Sequence, residues 1–557
     1  VDVDVLVVGA GPTGLSLAAQ VHAHGASVRL VDRAPDRAHE SRALAVQPRT
    51  LEVLAGSGVA EQLVRRGNPA TRFTLHSGDR AVDLPLFDAA DPDTDYPFLL
   101  FVSQAVTEQV LGEHLAARGV PVERGVELTE LDQHRDAVTA TMRRGDGGTE
   151  TIRARYVVGC DGVHSTVRRR AGIDFRGGSY PQTFALADLD VDGLPADVAH
   201  AYLGDRGILF FFPLGEPAGW RMIAMRPPEG WPARDGRTRA DEQTTLADLQ
   251  ALADAATRRT VELHEPVWLT DFRLHHRRAE RYRSGRAFVS GDAAHVHSPA
   301  GAQGMNTGIQ DSWNLGWKLA LVARGVADPA LLDSYDAERA PVGRLVVRFT
   351  DRAFTIATST NPVVRMLRSG LVPRLAPLAG RVRPARTKAL RLLAELDIGY
   401  RASPVVREGR PRLPDGPRAG DRLPTAAVTR DGRTESLQRR LAGPGLHLLL
   451  CGPSSGWPTD RLDRLGDLVR TGTLRTHRLS RNPAPGVLQD PAGAALGRLG
   501  VRAGRAAHYL VRPDGYIAYR AAGTDLTGLV AYVDRWFPAL RVAPADRPPN
   551  GRPAAEP

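Results

Sequence analysis

Val3-Asp4-Val5-Leu6-Val7-Val8-Gly9-Ala10-Gly11-Pro12-Thr13-Gly14 settles the class of fold. An apolar run reads as a strand, and the six residues after it carry glycine at the first, third and sixth places. Leu15 to His24 then reads as a helix and Ser27 to Val31 as a second strand, which makes a βαβ unit. The spacing is that of a dinucleotide fingerprint. Gly9 permits a tight turn, Gly11 lets a pyrophosphate approach the backbone, and Gly14 lets helix and strand pack closely. Amides at the helix N-terminus face the phosphates. Asp32, eighteen residues beyond Gly14, suits a bidentate hydrogen bond to the adenosine ribose. Pro12, Thr13 and Arg33 complete this candidate binding set.

Two later motifs decide which dinucleotide. The strand-like run Arg155 to Gly159 leads into Gly159-Cys160-Asp161-Gly162, with Arg168 and Arg169 beyond. Alone, that Asp-Gly pair reads equally well as an idle turn. The run Ala287 to Ser290 leads into Gly291-Asp292-Ala293-Ala294-His295, then Pro299 and Gly301-Ala302-Gln303-Gly304-Met305-Asn306. Here an acid follows a strand and a flexible backbone precedes a helix, whose periodicity shows over Gln310 to Ala323. Asp292 can accept from a ribityl hydroxyl. Amides around Gly304 to Asn306 can donate to a flavin's pyrimidine edge as negative charge develops there on reduction. The cofactor implied is FAD.

Composition bounds the rest. A chain of 557 residues exceeds one hydrophobic core, and 42% hydrophobic with 24% charged residues is ordinary for a globular protein. The net charge of +10 comes almost wholly from arginine, since Lys318 and Lys388 are the only lysines. No basic block or stripe interleaved with aromatics appears, so the expectation is no nucleic-acid partner. No apolar stretch approaches the ~20 residues a bilayer span needs. Cys160 and Cys451 are far apart after apolar runs and read as unpaired thiols, which with the lack of a leader predicts a cytoplasmic, non-membrane protein.

The predicted fold is α/β. A Rossmann-like FAD-binding domain (residues 1–175 and 276–400, the latter with a helical segment) receives an inserted antiparallel sheet (176–275). A Pro/Arg/Gly-rich linker (401–424) leads to a C-terminal α/β unit (425–542) and a loose tail (543–557). In that unit Leu446 to Cys451 reads as a buried strand, and Tyr509 to Tyr519 as a hairpin turning at Arg512-Pro513-Asp514-Gly515.

With its three motifs in order, the sequence resembles the single-component aromatic hydroxylases among flavoprotein monooxygenases, which include para-hydroxybenzoate hydroxylase and phenol hydroxylase. It is most similar to the actinomycete branch acting on polyketides and rifamycins. The resemblance implies NADPH or NADH and O2 as cosubstrates, and hydroxylation of an aromatic, polycyclic small molecule through a flavin C4a-hydroperoxide. It implies Arg42 and Gln104 near the phosphates or ribityl chain, Asp161 and Gly162 at both FAD and NAD(P)H, and a thioredoxin-like C-terminal unit. That unit has no CxxC, so packing or homodimer support is its expected role. Because each candidate FAD residue precedes Pro424, the unit is expected to be dispensable for flavin binding.

Flavin-borne chemistry requires no protein nucleophile, and none is assigned. The substrate wall is expected on the inserted sheet, at Phe210, Phe212 and Met222, with Pro299. Strand parity turns Phe211 the other way. His295 and His297 form an HxH pair without a ligand cluster, so no metal is expected. Baeyer–Villiger insertion or antibiotic inactivation by the same flavin chemistry, and an NAD-dependent dehydrogenase, are the competing readings.

Overall fold

The computed structural model describes residues 1–37, 43–77, 80–85, 93–204, 207–215, 218–226, 231–232, 238–239, 243–258, 260–297, 302–358, 388, 390–453, 457 and 459–538. Arg42, Pro299, Gly301 and the expected tail lie outside the described residues.

Val3–Val8 forms a strand, Pro12–Ala23 a helix with proline in its first turn, and Val28–Asp32 a parallel strand. Thr149–Gly159 lies parallel on the other side of the first strand, with Ala287–Val289 parallel beyond it. Val5, Leu6, Val7, Val157 and Val158 are fully buried, as a parallel sheet covered on both faces requires. Register brings the strand ends level: Val31 and Gly159 both stand beside Val8, and Val289 stands beside Gly159. The three motif loops therefore leave the same C-terminal edge side by side, where open α/β sheets bind their ligands.

The second sheet runs, in spatial order, His295–Val296, Glu262–Ala279, Phe175–Asp192, Trp220–Met225, Gly207–Pro213, Val198–Gly204, Arg72–Ser77 and Arg80–Pro85. All neighbours are antiparallel except Val198–Gly204 with Arg72–Ser77. Its two faces carry separate cores. On one, Phe211 and Met222 are buried beneath the helix Leu246–Thr257, which starts with a capping box between Thr245 and Asp248. On the other, Phe184, Ile223 and Leu274 gather with Phe210 and Phe212.

The C-terminal sheet is built on Leu446–Cys451, buried at all six positions, parallel to Leu474–Ser480 and antiparallel to Ala507–Val511. Ala507–Val511 returns through Ile517–Ala522, and the turn closes with Gly515 N–H donating to Arg512 O at 2.9 Å. Gly515 has φ +78°, a left-handed conformation suited to glycine. Cys160 and Cys451 are both free thiols. No described helix is long and apolar enough to cross a membrane.

This unit does not hang from a tether. Arg512 is buried and donates to Glu338 Oε1 at 2.6 Å and Oε2 at 2.8 Å, across the interface with the helix Asp333–Thr358. Glu338 also accepts from Lys318 Nζ at 2.8 Å, Asn314 Nδ2 at 2.6 Å and Ser403 Oγ at 2.6 Å. The Arg512 and Lys318 cations beside Glu338 hold its carboxyl far below the usual range.

Candidate cofactor and substrate site

Close packing locks the first and third motifs together. Gly9 has φ +103°, and a Cβ there would lie 2.3 Å from Cys160 O, so the turn admits only glycine. A Cβ on Gly14 would lie 1.8 Å from Gly9 O. Gly11 differs: nothing stands within 4 Å of a Cβ there. The backbone is open where a pyrophosphate would approach. Thr13 Oγ1 is wedged between Gly291 and Gly308, 2.5 and 2.4 Å from where their Cβ atoms would sit. The second motif is tied in by Arg168, which donates to Val163 O at 2.8 Å and Ala293 O at 3.0 Å.

Asp32 ends its strand as expected, and its carboxylate is engaged by backbone: Oδ2 accepts from Ala10 N at 2.6 Å and Oδ1 from Ala34 N at 2.8 Å. It shares a cleft of about 220 Å³ with Gly9, exposed Arg33, Asp161 and His164. Asp161 Oδ2 accepts from Thr166 N at 2.6 Å and Val167 N at 3.2 Å. Its Oδ1 is buried without a hydrogen-bond partner among the described residues, and burial pushes the carboxyl up. Gly162 follows with φ +74°.

Asp292 stands exposed in the short turn Gly291–Ala293. What positions it went unread in the sequence. Asp311 accepts from Gly291 N at 3.2 Å and is bonded to His295 Nε2 at 2.7 Å, while Arg339 Nε donates to its other oxygen at 2.5 Å. All three side chains are buried, and Arg339 with His295 holds the Asp311 carboxyl down. His295 thus supports the turn through a carboxylate. Its signal was available: Asp311 is an acid at a position that helical periodicity buries.

The helix Gly304–Ala323 has no side-chain cap, so the amides of Gly304, Met305 and Asn306 are not used by a capping side chain. The Asn306 side chain is structural: Nδ2 donates to Ala45 O at 2.8 Å and Ala302 O at 2.7 Å, and Oδ1 accepts from Gln47 N at 2.8 Å. Glu395, also unread, braces the next turn by accepting from Thr307 Oγ1 at 3.1 Å and from Gln310 Nε2. Burial pushes its carboxyl up to about 7. Gln104 N–H donates to Ala43 O at 3.2 Å, and Gln104 Nε2 donates to Glu108 at 2.8 Å.

On the second sheet, parity falls as read for the three phenylalanines. Phe210 and Phe212 stack at 5.6 Å, and Phe212 meets Phe101 at 5.3 Å. Phe211 is fully buried on the helix-covered face. Met222 corrects the expected wall. It pairs with Phe211 in the ladder and is buried under the helix, so Ile223, opposite Phe210, takes the place assigned to it.

Arg221, opposite Phe212, was likewise missed. It is fully buried, donates twice to Asp188 at 2.6 and 2.7 Å, and reaches Ala43 O at 2.8 Å. Trp268 Nε1 donates to the same carboxylate at 2.9 Å. A buried ion pair of this kind ties the aromatic face to the segment entering Leu44 and Ala45, which belong to the same cluster. Ala302, two residues before the helix Gly304–Ala323, packs there too. The aromatic face and the open helix N-terminus thus adjoin.

An open backbone at Gly11, two helix N-termini without side-chain caps and the orphaned Asp161 oxygen fit a dinucleotide flavin. Comparison with known proteins bears on the same point. Residues 2–350 match the family described as FAD binding domain, and residues 416–539 match aromatic-ring hydroxylase, C-terminal. The chain is 37% identical over 565 residues to 6-methylpretetramide 4-monooxygenase of Streptomyces rimosus, covering 99% of this chain and 97% of the relative. It is 33% identical to rifampicin monooxygenase of Streptomyces venezuelae, covering 96% and 99%. The solved ternary complex of aklavinone-11 hydroxylase with FAD and aklavinone superposes at a TM-score of 0.75 with 28% identity, over 96% of this chain and 98% of that one. The dehydrogenase reading of the first βαβ unit is overturned by these matches.

Proposed function

The chain belongs to the FAD-dependent aromatic-ring hydroxylases, and on that premise we propose that its substrate is a polycyclic, polyketide-like phenol. The protein is a monooxygenase that uses FAD, NAD(P)H and O2. The observation that carries the substrate reading is the aromatic face. Phe101, Phe184, Phe210, Phe212 and Phe272 belong to one apolar cluster with Ala302, and its half-buried members Phe210, Phe212 and Phe272 would offer aromatic faces to stacked, fused rings. The relatives named for 6-methylpretetramide and rifampicin support the same class.

FAD, when bound, takes electrons from NAD(P)H and activates oxygen. The chain's own residues do the rest. Gly9, Gly11 and Gly14, with the amides after Pro12 and Thr13, would hold the pyrophosphate. Asp32 and Arg33 would meet the adenosine ribose, Asp161 a cofactor hydroxyl, and Asp292 the ribityl chain. The amides of Gly304, Met305 and Asn306 would stabilise negative charge on the pyrimidine edge. The aromatic wall excludes water and orients the ring. Two free thiols support a cytoplasmic site of action.

The test is a panel of polycyclic phenols and quinones screened for stimulated NAD(P)H oxidation, with product mass and regiochemistry read in parallel. A hydroxylated ring supports the proposal. Ring expansion by oxygen insertion would replace it with Baeyer–Villiger chemistry, and stimulation by monocyclic phenols alone would overturn the polycyclic assignment.

A further inference from the structure

The aromatic face ends in a polar corner. His276 lies on the same side of the strand Glu262–Ala279 as Phe272 and Leu274, both in the aromatic cluster. Gly178 stands opposite in the ladder, and a Cβ there would come within 3.3 Å of the imidazole, so the absent side chain gives the ring its place. The Tyr180 ring centroid is 4.8 Å away, and the Tyr180 hydroxyl donates to Asp351 Oδ1 at 2.7 Å on the helix Asp333–Thr358. Beyond His276, Arg277 pairs with Val296, and the ring of His297 stands 3.8 Å from where a Cβ on Gly304 would lie. His276 therefore sits where the aromatic wall meets the open helix N-terminus.

Neither ring nitrogen of His276 has a hydrogen-bond partner among the described residues, and Nδ1 is buried. A packing role gains nothing from an imidazole here, because an apolar side chain of similar size would avoid the unpaired nitrogen. A ligand hydroxyl would supply the partner.

We infer that His276 meets the ring hydroxyl of the substrate and takes its proton. The phenolic O–H bond breaks, the proton passes to an imidazole nitrogen, and the electron pair stays on oxygen as a phenolate. The ring becomes more electron-rich and so attacks an electrophilic oxygen faster. Of the titratable groups nearby, Tyr180 on the same sheet packs against the His276 ring and its hydroxyl reaches Asp351 on the packed helix, while His297 follows Val296, the partner of Arg277. The inference rests on the proposed phenolic substrate.

The test uses the FAD-loaded enzyme and 1,2-dihydroxyanthraquinone, whose visible band moves to the red on ionisation. Bound dye is followed over the histidine range, roughly pH 5 to 8, in wild type, His276→Ala and His276→Gln. Melting temperature and FAD content verify that the variants fold. Wild type is expected to bind the anion below the pH at which free dye ionises, while both variants bind it neutral. With that dye or another polycyclic phenol as substrate, kcat/KM of the variants should fall about a hundredfold at neutral pH. It should recover as pH passes the phenol's own pKa. Equal dye ionisation in all three proteins, or neutral dye on wild type, overturns the assignment. If wild type binds no polycyclic phenol and none stimulates NAD(P)H oxidation, the substrate reading beneath it fails instead, and the inference with it.

Discussion

Thr13 and Gly308 interlock so closely that a Cβ on Gly308 would lie 2.4 Å from the threonine hydroxyl. Thr13 sits in the helix Pro12–Ala23 and Gly308 in the helix Gly304–Ala323, whose first amides are proposed to meet the flavin's pyrimidine edge. Gly308→Ala should therefore push the two apart, costing ~1–3 kcal/mol by overpacking and lowering FAD occupancy. Gly112→Ala is the control, because nothing stands within 4 Å of a Cβ there, and it should be neutral or slightly stabilising. The ratio of flavin to protein absorbance measures both, and equal FAD content in the two variants would show that the contact does not position the cofactor.

The two faces of the second sheet give opposite expectations for adjacent residues. Phe211→Ala should cost ~3–5 kcal/mol of stability, since the ring is wholly buried under the helix Leu246–Thr257. Phe210→Ala and Phe212→Ala should melt closer to wild type and instead uncouple NAD(P)H oxidation from hydroxylation. Melting temperature and coupling ratio, measured on all three, decide the matter.

Arg512 joins the C-terminal unit to the flavin domain through buried charge. Arg512→Ala leaves Glu338 without its bidentate partner, and a loss of ~3–5 kcal/mol is expected from chemical denaturation. Truncation after Pro424 removes the same partner, so the shortened chain should fail to retain FAD although each candidate FAD residue is still present. The contrary expectation from the sequence counted motif positions and had no view of the interface. A soluble truncation that binds FAD normally would restore it.

Acid should loosen that interface through His24. Its Nδ1 is bonded to Gln20 O at 2.8 Å, and Nε2 accepts from Gly445 N at 3.3 Å, so protonation would set a donor against a donor. Burial pushes the imidazole from 6.5 down to about 4. Below 6.5 the unfolded chain takes a proton that the folded one refuses, so this contribution is lost as pH falls from 6.5 to about 4 and levels off beneath. The loss is roughly 3 kcal/mol. His24→Gln keeps an acceptor for Gly445 and should show a shallower decline in stability over that window; parallel curves would exclude His24 as the cause.

The proposed cofactor positions could be named from sequence because they are local: glycines where backbone must pass close, and acids at or just beyond the end of a strand. Thr13, Gly14, Asp161 and Asp292 all read from short motifs. The supports were not. Asp311, Arg339 and Glu395 serve residues far away in sequence, and Arg221 pairs with Asp188 across a ladder whose register no local pattern states. Arg72–Ser77 and Arg80–Pro85 escaped for the same reason, since they join a sheet whose next strand begins at Val198. Met222 failed for want of a register, since its face follows from its pairing with Phe211.

The second sheet takes strands from residues 72–85, 175–279 and 295–296, with the parallel-sheet strand Thr149–Gly159 threaded between the first two pieces. The sheet proposed to meet the substrate is thus not one exchangeable cassette. A chimera that swaps only residues 176–275 with a relative would set a foreign Val198–Gly204 strand against Arg72–Ser77, and would cut Glu262–Ala279 just before Arg277 and Arg278, the residues that pair with Val296 and His295. Evolution of new specificity on this scaffold is accordingly channelled into side-chain replacement on the Phe210 face, where Ile223, Phe184 and Leu274 can change without altering a single strand pairing.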